Sequence, residues 1–189
     1  YTITHPERVS DFVNSMIKIY EHQGKLPVWH LRGNETNTMP GYSGIPVVID
    51  AALKGFDNID LEKVFEAAKV SATGDFEPGV KDLMERGYIP ADFMVESVAS
   101  SMEYAIGDWG IAQLAKKLGK QEDYEYFINR SKAYKQYFDP ETRFMRGKLS
   151  DGSWRTPFNP ISAEHRVNDY CEGNAWQYLW LVPQDPEGL

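Results

Sequence analysis

The spacing of apolar residues is the feature that most limits how this chain folds. From Val9 to Tyr20 apolar side chains recur at steps of three and four, and the same spacing returns in later segments, most clearly from Glu96 to Leu118. This period places apolar side chains along one face of an α-helix. Strands do not alternate with these segments, so a parallel sheet is not expected. The sequence therefore predicts an all-α fold.

Turn residues divide the chain into helices of ordinary length. Glycine closes several of the segments and proline begins or ends others, as is typical of helix termini. The predicted helices cover residues 5–24, 45–55, 61–72, 81–86, 96–118 and 122–138. After the last of them, residues 144–149 and 151–154 predict a small β-hairpin that turns at Ser150 to Gly152.

The order of helices and loops indicates how the helices are arranged. Short turns join some helices, whereas long loops follow alternate ones. Helical hairpins that stack side by side, as in a toroid or a solenoid, show this pattern. No fixed sequence period is present, which disfavours short regular repeats. Because such stacking gathers the long loops at one end, we expect them to line a common cleft.

Composition and charge exclude several functional classes. The net charge of −8 argues against nucleic-acid binding, which depends on clustered lysine and arginine. Cys171 is the only cysteine, so neither a disulfide framework nor a multi-cysteine metal site is expected. No apolar run approaches the length that spans a membrane. The histidines show no paired spacing for zinc: His5, His22, His30 and His165.

Three loops, residues 29–39, 151–160 and 164–177, concentrate the residue types that a sugar site needs. Aromatic rings suit the apolar C–H faces of a sugar, while amides and carboxylates suit its hydroxyl groups. Glycoside hydrolysis also uses two carboxyl groups, one of which protonates the leaving oxygen while the other acts on the opposite face. The loops hold these candidates: Glu35, Glu164, Asp169 and Glu172.

Glu172 differs from the other three carboxylates in its neighbours. Tyr170 and Trp176 lie close to it, so partial burial is expected to raise its pKa, as a general acid requires. For Glu35 a solvated loop residue without a catalytic role is the more common outcome. The same expectation is stronger for Glu164 and Asp169, which lie among charged neighbours. From these residues alone, the segment 171–178 is either a sugar site or a buried aromatic helix.

An oxygen-rich segment of the first loop is the one place that suggests a metal. Asn34-Glu35-Thr36-Asn37 carries oxygen ligands of the type that calcium prefers. It lacks the dense acidic spacing of a dedicated calcium loop, so the sequence assigns no metal ligands.

Blocks spread over most of the chain, in this order, carry a family resemblance. They are Leu26-Pro27-x-Trp29, Gly33-Asn34-Glu35-Thr36, Met39-x-Gly41-Tyr42, Glu96-Ser97-Val98, Glu103-Tyr104-Ala105, Asp108-Trp109-x-Ile111-Ala112, and Glu172-Gly173-Asn174-Ala175-Trp176-Gln177-Tyr178 with Val182-Pro183. Together they resemble the α-mannosidases of glycoside hydrolase family 92.

The resemblance implies an exo-acting, inverting α-mannosidase that depends on Ca²⁺ and acts on mannose-containing glycans, with α-1,2 bonds as the expected linkage. In this family a β-sandwich domain precedes a catalytic (α/α)6 toroid, and the general acid is a glutamate that matches Glu172. The residues expected to contact the sugar are Trp29, Asn34, Glu35, Met39, Asn174 and Gln177. A periplasmic or secreted bacterial location is also implied.

The resemblance further predicts that the chain is part of a larger enzyme. The family's base is an aspartate in a downstream Gly-Asn-Asp motif, which does not occur here, and the Trp-Asp-Thr segment expected just before Tyr1 is also missing. We expect residues 1–189 to form about half of the toroid and to be inactive without the rest of the catalytic domain. Gln184 and His30 depart from the family's usual residues and leave substrate preference open. A noncatalytic helical module that binds glycan or protein is the alternative.

Overall fold

The computed structural model describes residues 1–164 and 166–189, so His165 lies outside the described residues. Within them the chain is mostly helical with two small antiparallel sheets, which confirms the predicted all-α class with a β-hairpin insertion. The helices are α1 (Val9–Gln23), α2 (Gly44–Lys54), α3 (Leu61–Thr73), α4 (Val80–Arg86), α5 (Ser97–Lys117), α6 (Gln121–Arg130) and α7 (Ala175–Tyr178). The strands are β1 (His30–Leu31), β2 (Asn34–Glu35), β3 (Phe138–Asp139) and β4 (Phe144–Met145).

Helix α5 lies at the centre of the fold. Most of its 21 residues are buried, and its small or apolar side chains point in all directions, as expected for a helix enclosed by others. Helices α2, α3 and α6 pack against it. Although α5 is long, no helix in the described ranges has the length and apolar character needed to cross a membrane.

A buried ion pair holds α6 against α5. Arg130 Nε donates to Asp108 Oδ2 at 2.6 Å, and Arg130 Nη2 donates to the carbonyl oxygen of Ala72 at 2.9 Å. The Tyr42 hydroxyl donates to Asp108 Oδ1 at 2.6 Å. These hydrogen bonds compensate for the loss of water around the two charges. Three helices and the loop before α2 therefore meet at one polar point.

The predicted end of the sixth helix is wrong. The sequence predicts a helix over residues 122–138, but α6 ends at Arg130, a 3₁₀ turn follows at Ala133–Gln136, and strand β3 begins directly after Tyr137. A tertiary contact explains the change: the Tyr137 hydroxyl is buried and accepts a hydrogen bond from the Ile89 N–H at 2.6 Å. The ring reaches this partner because the chain leaves the α-helical path.

The predicted β-hairpin over residues 144–154 is confirmed. Lys148 pairs with Trp154, and the Leu149 N–H donates to the Ser153 carbonyl oxygen at 2.8 Å. The structure adds a pairing that the apolar pattern does not predict, between β3 and β4, in which Phe138 lies opposite Met145.

The third loop is attached to the beginning of α5. The N–H groups of Glu96 and Ala99 donate to the carbonyl oxygens of Asn168 and Asp169 at 2.9 and 3.1 Å. The first turn of a helix leaves such N–H groups without partners inside the helix. The loop that carries Glu172 is therefore held by the central helix of the fold.

Candidate functional site

The first loop folds as a short hairpin closed by a carboxylate. His30 lies opposite Glu35, and Arg32 and Gly33 have φ angles of 57° and 79°, the geometry of a two-residue hairpin turn. The Glu35 carboxylate accepts four backbone N–H groups at 2.7–2.9 Å, from Val28, Trp29, Thr36 and Asn37. Burial alone would raise the pKa of Glu35, but these hydrogen bonds lower it.

A buried lysine ties the same loop to the segment before α4. Lys25 Nζ donates to Asn37 Oδ1 at 2.5 Å and forms an ion pair with Glu77. Both charged side chains are buried. Burial raises the pKa of Glu77, although the Lys25 ammonium opposes the change. The loop is thus anchored to the body of the fold by charged hydrogen bonds.

The other residues of the first loop that are predicted to contact sugar remain accessible. Trp29 and Asn34 are exposed and Met39 is half-buried. Met39 lines a pocket of about 190 Å³ between this loop and the start of α5, together with Glu77 and Glu96. Apolar and acidic groups are therefore within reach of one small ligand there.

Glu172 occupies a fixed turn in the third loop. Its φ angle of 47° lies in the left-handed region, which costs a non-glycine residue on the order of 1–3 kcal/mol. The residue before it is clamped, because the Tyr178 hydroxyl donates to the Cys171 carbonyl oxygen at 2.8 Å and accepts from the Cys171 N–H at 3.3 Å. Backbone strain held in place by such contacts is concentrated at functional sites.

The expected burial of Glu172 is wrong. Its side chain is exposed, although Tyr170 is buried nearby. The second expected neighbour, Trp176, packs edge-on against Phe144, with ring centroids 4.8 Å apart, and is itself 53% exposed. The aromatic residues around Glu172 in sequence therefore do not cover its carboxylate in space.

Asn174 and Gln177, which are predicted to contact sugar, cap helix α7. Asn174 Oδ1 accepts hydrogen bonds from the N–H groups of Trp176 and Gln177 at 3.1 and 3.3 Å, and Gln177 Oε1 accepts from the Asn174 N–H at 3.0 Å. This reciprocal arrangement is a capping box. Because it uses the amide oxygens, the NH₂ groups are the parts of these side chains that a sugar oxygen can engage.

Two glutamates at the start of α5 approach the third loop, and the sequence patterns assign a role to neither. Burial raises the pKa of Cys171 to about 11, and the carboxylates of Glu96 and Glu172 contribute. Burial also raises the pKa of Tyr178 to about 12, with contributions from nearby charges that include Glu103 and Glu96. The seven-residue spacing of Glu96 and Glu103 would place both on one face of the predicted helix 96–118, but Glu96 lies just before α5 in the left-handed conformation.

Asp169 joins the second and third loops from inside the fold. Its Oδ1 lies 3.2 Å from Arg155 Nε and accepts a hydrogen bond from Ser97 Oγ at 3.4 Å. The expectation that Asp169 is solvated is wrong, because it is 6% exposed and packs directly against Gly147. Glu164 is exposed, as expected.

The structure brings the second and third loops together and links them to the first through α5. Arg155 and Asn159 of the second loop line one pocket of about 340 Å³ with Glu164 and Asp169 of the third. Glu96 lies in the wall of the first loop's pocket and also donates its N–H to the third loop. The residues predicted to contact sugar thus form two sets, one on the first loop and one on the third, and Glu96 lies between them.

The described residues contain no group of three or more histidine, cysteine, aspartate or glutamate side chains that could hold a metal ion. The segment over residues 34–37 fits calcium poorly, because three N–H groups occupy Oε1 of Glu35, a fourth occupies Oε2, and Lys25 occupies Asn37 Oδ1. No step of a reaction is assigned to a metal held by these residues.

The sequence profile of the glycosyl hydrolase family 92 catalytic domain matches residues 1–189. The chain belongs to this family. A family 92 α-mannosidase of Bacteroides thetaiotaomicron has been solved in complex with mannoimidazole. It is 40% identical to this family 92 chain and superposes on 95% of the present chain with a TM-score of 0.89. A family 92 inverting mannosidase from the same bacterium is 30% identical, with a TM-score of 0.90 over 97% of the chain.

A curated fungal protein extends the comparison. An uncharacterized secreted glycosidase of Arthroderma benhamiae is 30% identical over 92% of this family 92 chain. The chain spans about a quarter of the length of these relatives, namely 27% of the fungal protein and 25% of each bacterial structure.

Proposed function

We propose that this family 92 chain forms part of the catalytic domain of an exo-acting α-mannosidase, which removes mannose from glycans with inversion and prefers α-1,2 bonds. The observation that carries the proposal is the 40% identity over 95% of the chain to an α-mannosidase solved with mannoimidazole. Because the chain spans 25% of that protein, we assign the remainder of the (α/α)6 toroid and the β-sandwich to other parts of the parent protein.

Glu172 is the proposed general acid, which protonates the oxygen of the departing sugar. Its carboxyl group is exposed on a turn held by the Tyr178 hydroxyl, so a glycan can reach it. A general acid works best with a pKa near the working pH. Since Glu172 is exposed in this chain, the bound glycan and the rest of the domain are expected to exclude water from it.

The remaining predicted residues would bind the sugar. Trp29 and Met39 offer apolar surface for the C–H faces of mannose, while Asn34, Asn174 and Gln177 offer amide groups for its hydroxyls. The opposing base is expected from a Gly-Asn-Asp motif elsewhere in the parent protein. In an inverting enzyme its carboxylate would lie roughly 6.5–9.5 Å from that of Glu172, with a water between them.

Substitution of Glu172 in the parent protein tests the assignment. Glu172→Gln is expected to lower turnover of an α-1,2-mannobiose by about 10²–10⁴-fold, because the leaving sugar then lacks its proton donor. An aryl mannoside with a good leaving group should lose much less. Glu141→Gln, an exposed glutamate outside the three loops, is the matched control. Normal turnover of the disaccharide by Glu172→Gln would contradict the assignment of Glu172 as the general acid.

The same measurements distinguish the proposed enzyme from the alternative, a noncatalytic module that binds glycan or protein. It would bind mannosides without releasing mannose, and Glu172→Gln would change no rate. Inversion is tested by proton NMR of the first product formed, which should be β-mannose.

The fungal relative carries the name of a secreted glycosidase, and we infer that the parent protein is also exported, to the periplasm or the medium of a bacterium.

Most calcium ligands are expected to lie outside this chain, and residues 34–37 fit the ion poorly. Treatment of the parent protein with a chelator should abolish release of mannose, and added CaCl₂ should restore it. Full activity after chelation would contradict the dependence on calcium. A variant within residues 34–37 whose activity is no longer restored by CaCl₂ after chelation would place calcium ligands in this chain.

A further inference from the structure

The Glu35 carboxylate has most of its acceptor capacity used within its own loop. An ionised carboxylate offers about four lone-pair positions, and Glu35 accepts four backbone hydrogen bonds at 2.7–2.9 Å. Its Oε2 also lies 3.6 Å from His30 Nε2. Oε1 accepts three of the four N–H groups, and Oε2 accepts the fourth, from Val28. A sugar hydroxyl could therefore bind at Oε1 only by displacing an N–H group, and at Oε2 only beside His30.

Those four N–H groups come from both arms of the hairpin. Val28 and Trp29 precede strand β1, whereas Thr36 and Asn37 follow strand β2. The carboxylate therefore joins the two arms where the hairpin leaves the body of the fold. Hydrogen bonds from N–H groups to an ionised carboxylate are about twice as strong as neutral ones.

A second anchor holds the arm that follows strand β2. Lys25 Nζ bonds Asn37 Oδ1 and the buried Glu77, which lines the pocket of about 190 Å³ together with Met39. The carboxylate and the lysine thus hold neighbouring points of the loop. Trp29 is exposed, and its own N–H is bonded to Glu35 Oε1 at 2.9 Å.

We propose that Glu35 is a positioning residue, which holds Trp29 and Met39 in place for the glycan and does not itself bind the sugar. This inference rests on the proposed function, since it concerns the same site. The amide protons that Glu35 holds can nevertheless be followed without any substrate, so a failure of the α-mannosidase assignment and a failure of this inference are distinguishable.

The experiment compares Glu35→Gln with the unchanged parent protein by hydrogen exchange and kinetics. A glutamine has one acceptor oxygen and places an NH₂ group against the Val28 or Trp29 N–H. We expect exchange of the amides at positions 28, 29, 36 and 37 to accelerate by about tenfold or more. Because the loop is then misplaced, kcat/KM for mannobiose should fall by about 10–100-fold. Glu21→Gln, an exposed glutamate on α1, is the control and should change neither quantity.

Three outcomes would overturn the inference. Unchanged exchange at the four amides with a raised KM would identify Glu35 as a direct sugar ligand. Unchanged exchange with a weakened response to calcium would identify it as a metal ligand. Unchanged exchange and unchanged kinetics would leave Glu35 without a role in the site. If Glu35→Gln does not fold, Glu35→Asp, which keeps both oxygens one methylene further from the loop, is measured at the same four amides with the same criteria.

Discussion

At the scale of single residues, Asp139 shows how local hydrogen bonds set the charge of a buried group. Burial alone would raise its pKa, but bonds from Thr142 Oγ1 at 2.6 Å and Arg146 Nη1 at 2.8 Å lower it to about 2. The pKa of an aspartate in an unfolded chain is about 3.9. Because the folded pKa is the lower one, the ionised group stabilises the fold above about pH 4, and this contribution is lost as pH falls towards about 2.

Asp139→Asn is therefore expected to lose about 2 kcal/mol of unfolding free energy at neutral pH, at about 1.4 kcal/mol per pKa unit. The difference from the unchanged protein should narrow between about pH 4 and pH 2, as measured by urea denaturation at a series of pH values. The exposed Asp57→Asn is the control and should show no such narrowing. A difference that stays constant over this range would contradict the assigned cause.

At the scale of elements, two buried glycines on α5 predict opposite effects of the same substitution. A Cβ at Gly107 would lie 2.5 Å from Tyr42 Cε2, and that ring is held by its stacking on Tyr104 and its bond to Asp108. Gly107→Ala should therefore cost about 1–3 kcal/mol. At Gly110 the nearest atoms are 3.5 Å away, so Gly110→Ala should be neutral or stabilise by up to about 1 kcal/mol. Thermal unfolding of both variants checks the sign.

The contact of α5 with α6 depends on its buried charges. Arg130→Ala leaves Asp108 buried without its guanidinium and is expected to cost about 3–5 kcal/mol. The matched control is Lys54→Ala, which breaks an exposed ion pair with Asp50 and should cost less than about 1 kcal/mol. Similar losses of unfolding free energy in the two variants would show that the buried pair has no special weight.

At the scale of the whole molecule, the region around α7 exposes an aromatic surface. Trp176 and Trp180 are 53% and 71% exposed and line an open groove of about 400 Å³ with Phe144 and Leu189. If the rest of the catalytic domain covers this groove, residues 1–189 produced alone should self-associate, because large exposed apolar patches promote association. A double Trp176→Ser, Trp180→Ser variant should reduce this in size-exclusion chromatography. A monomeric chain without these changes would speak against the partial toroid.

The sequence alone predicted the position of helices α1 to α6, because helix formation follows a local period of apolar residues that short windows contain. It also singled out Glu172 as the candidate general acid, since each block that carries the family resemblance is a short contiguous run of residues. The buried Asp169 meets Ser97, 72 positions away, and Tyr137 just after α6 bonds the Ile89 N–H. Such contacts join residues far apart in the chain, so only the tertiary structure settles them.

The same division holds within the candidate site. Residue types and order predicted which loops carry carboxylates, rings and amides. Only the folded chain showed that Glu172 is exposed and that Glu35 is enclosed by backbone N–H groups. The physical reason is that a carboxylate's role depends on which donors surround it, and those donors are placed by the path of the backbone in three dimensions.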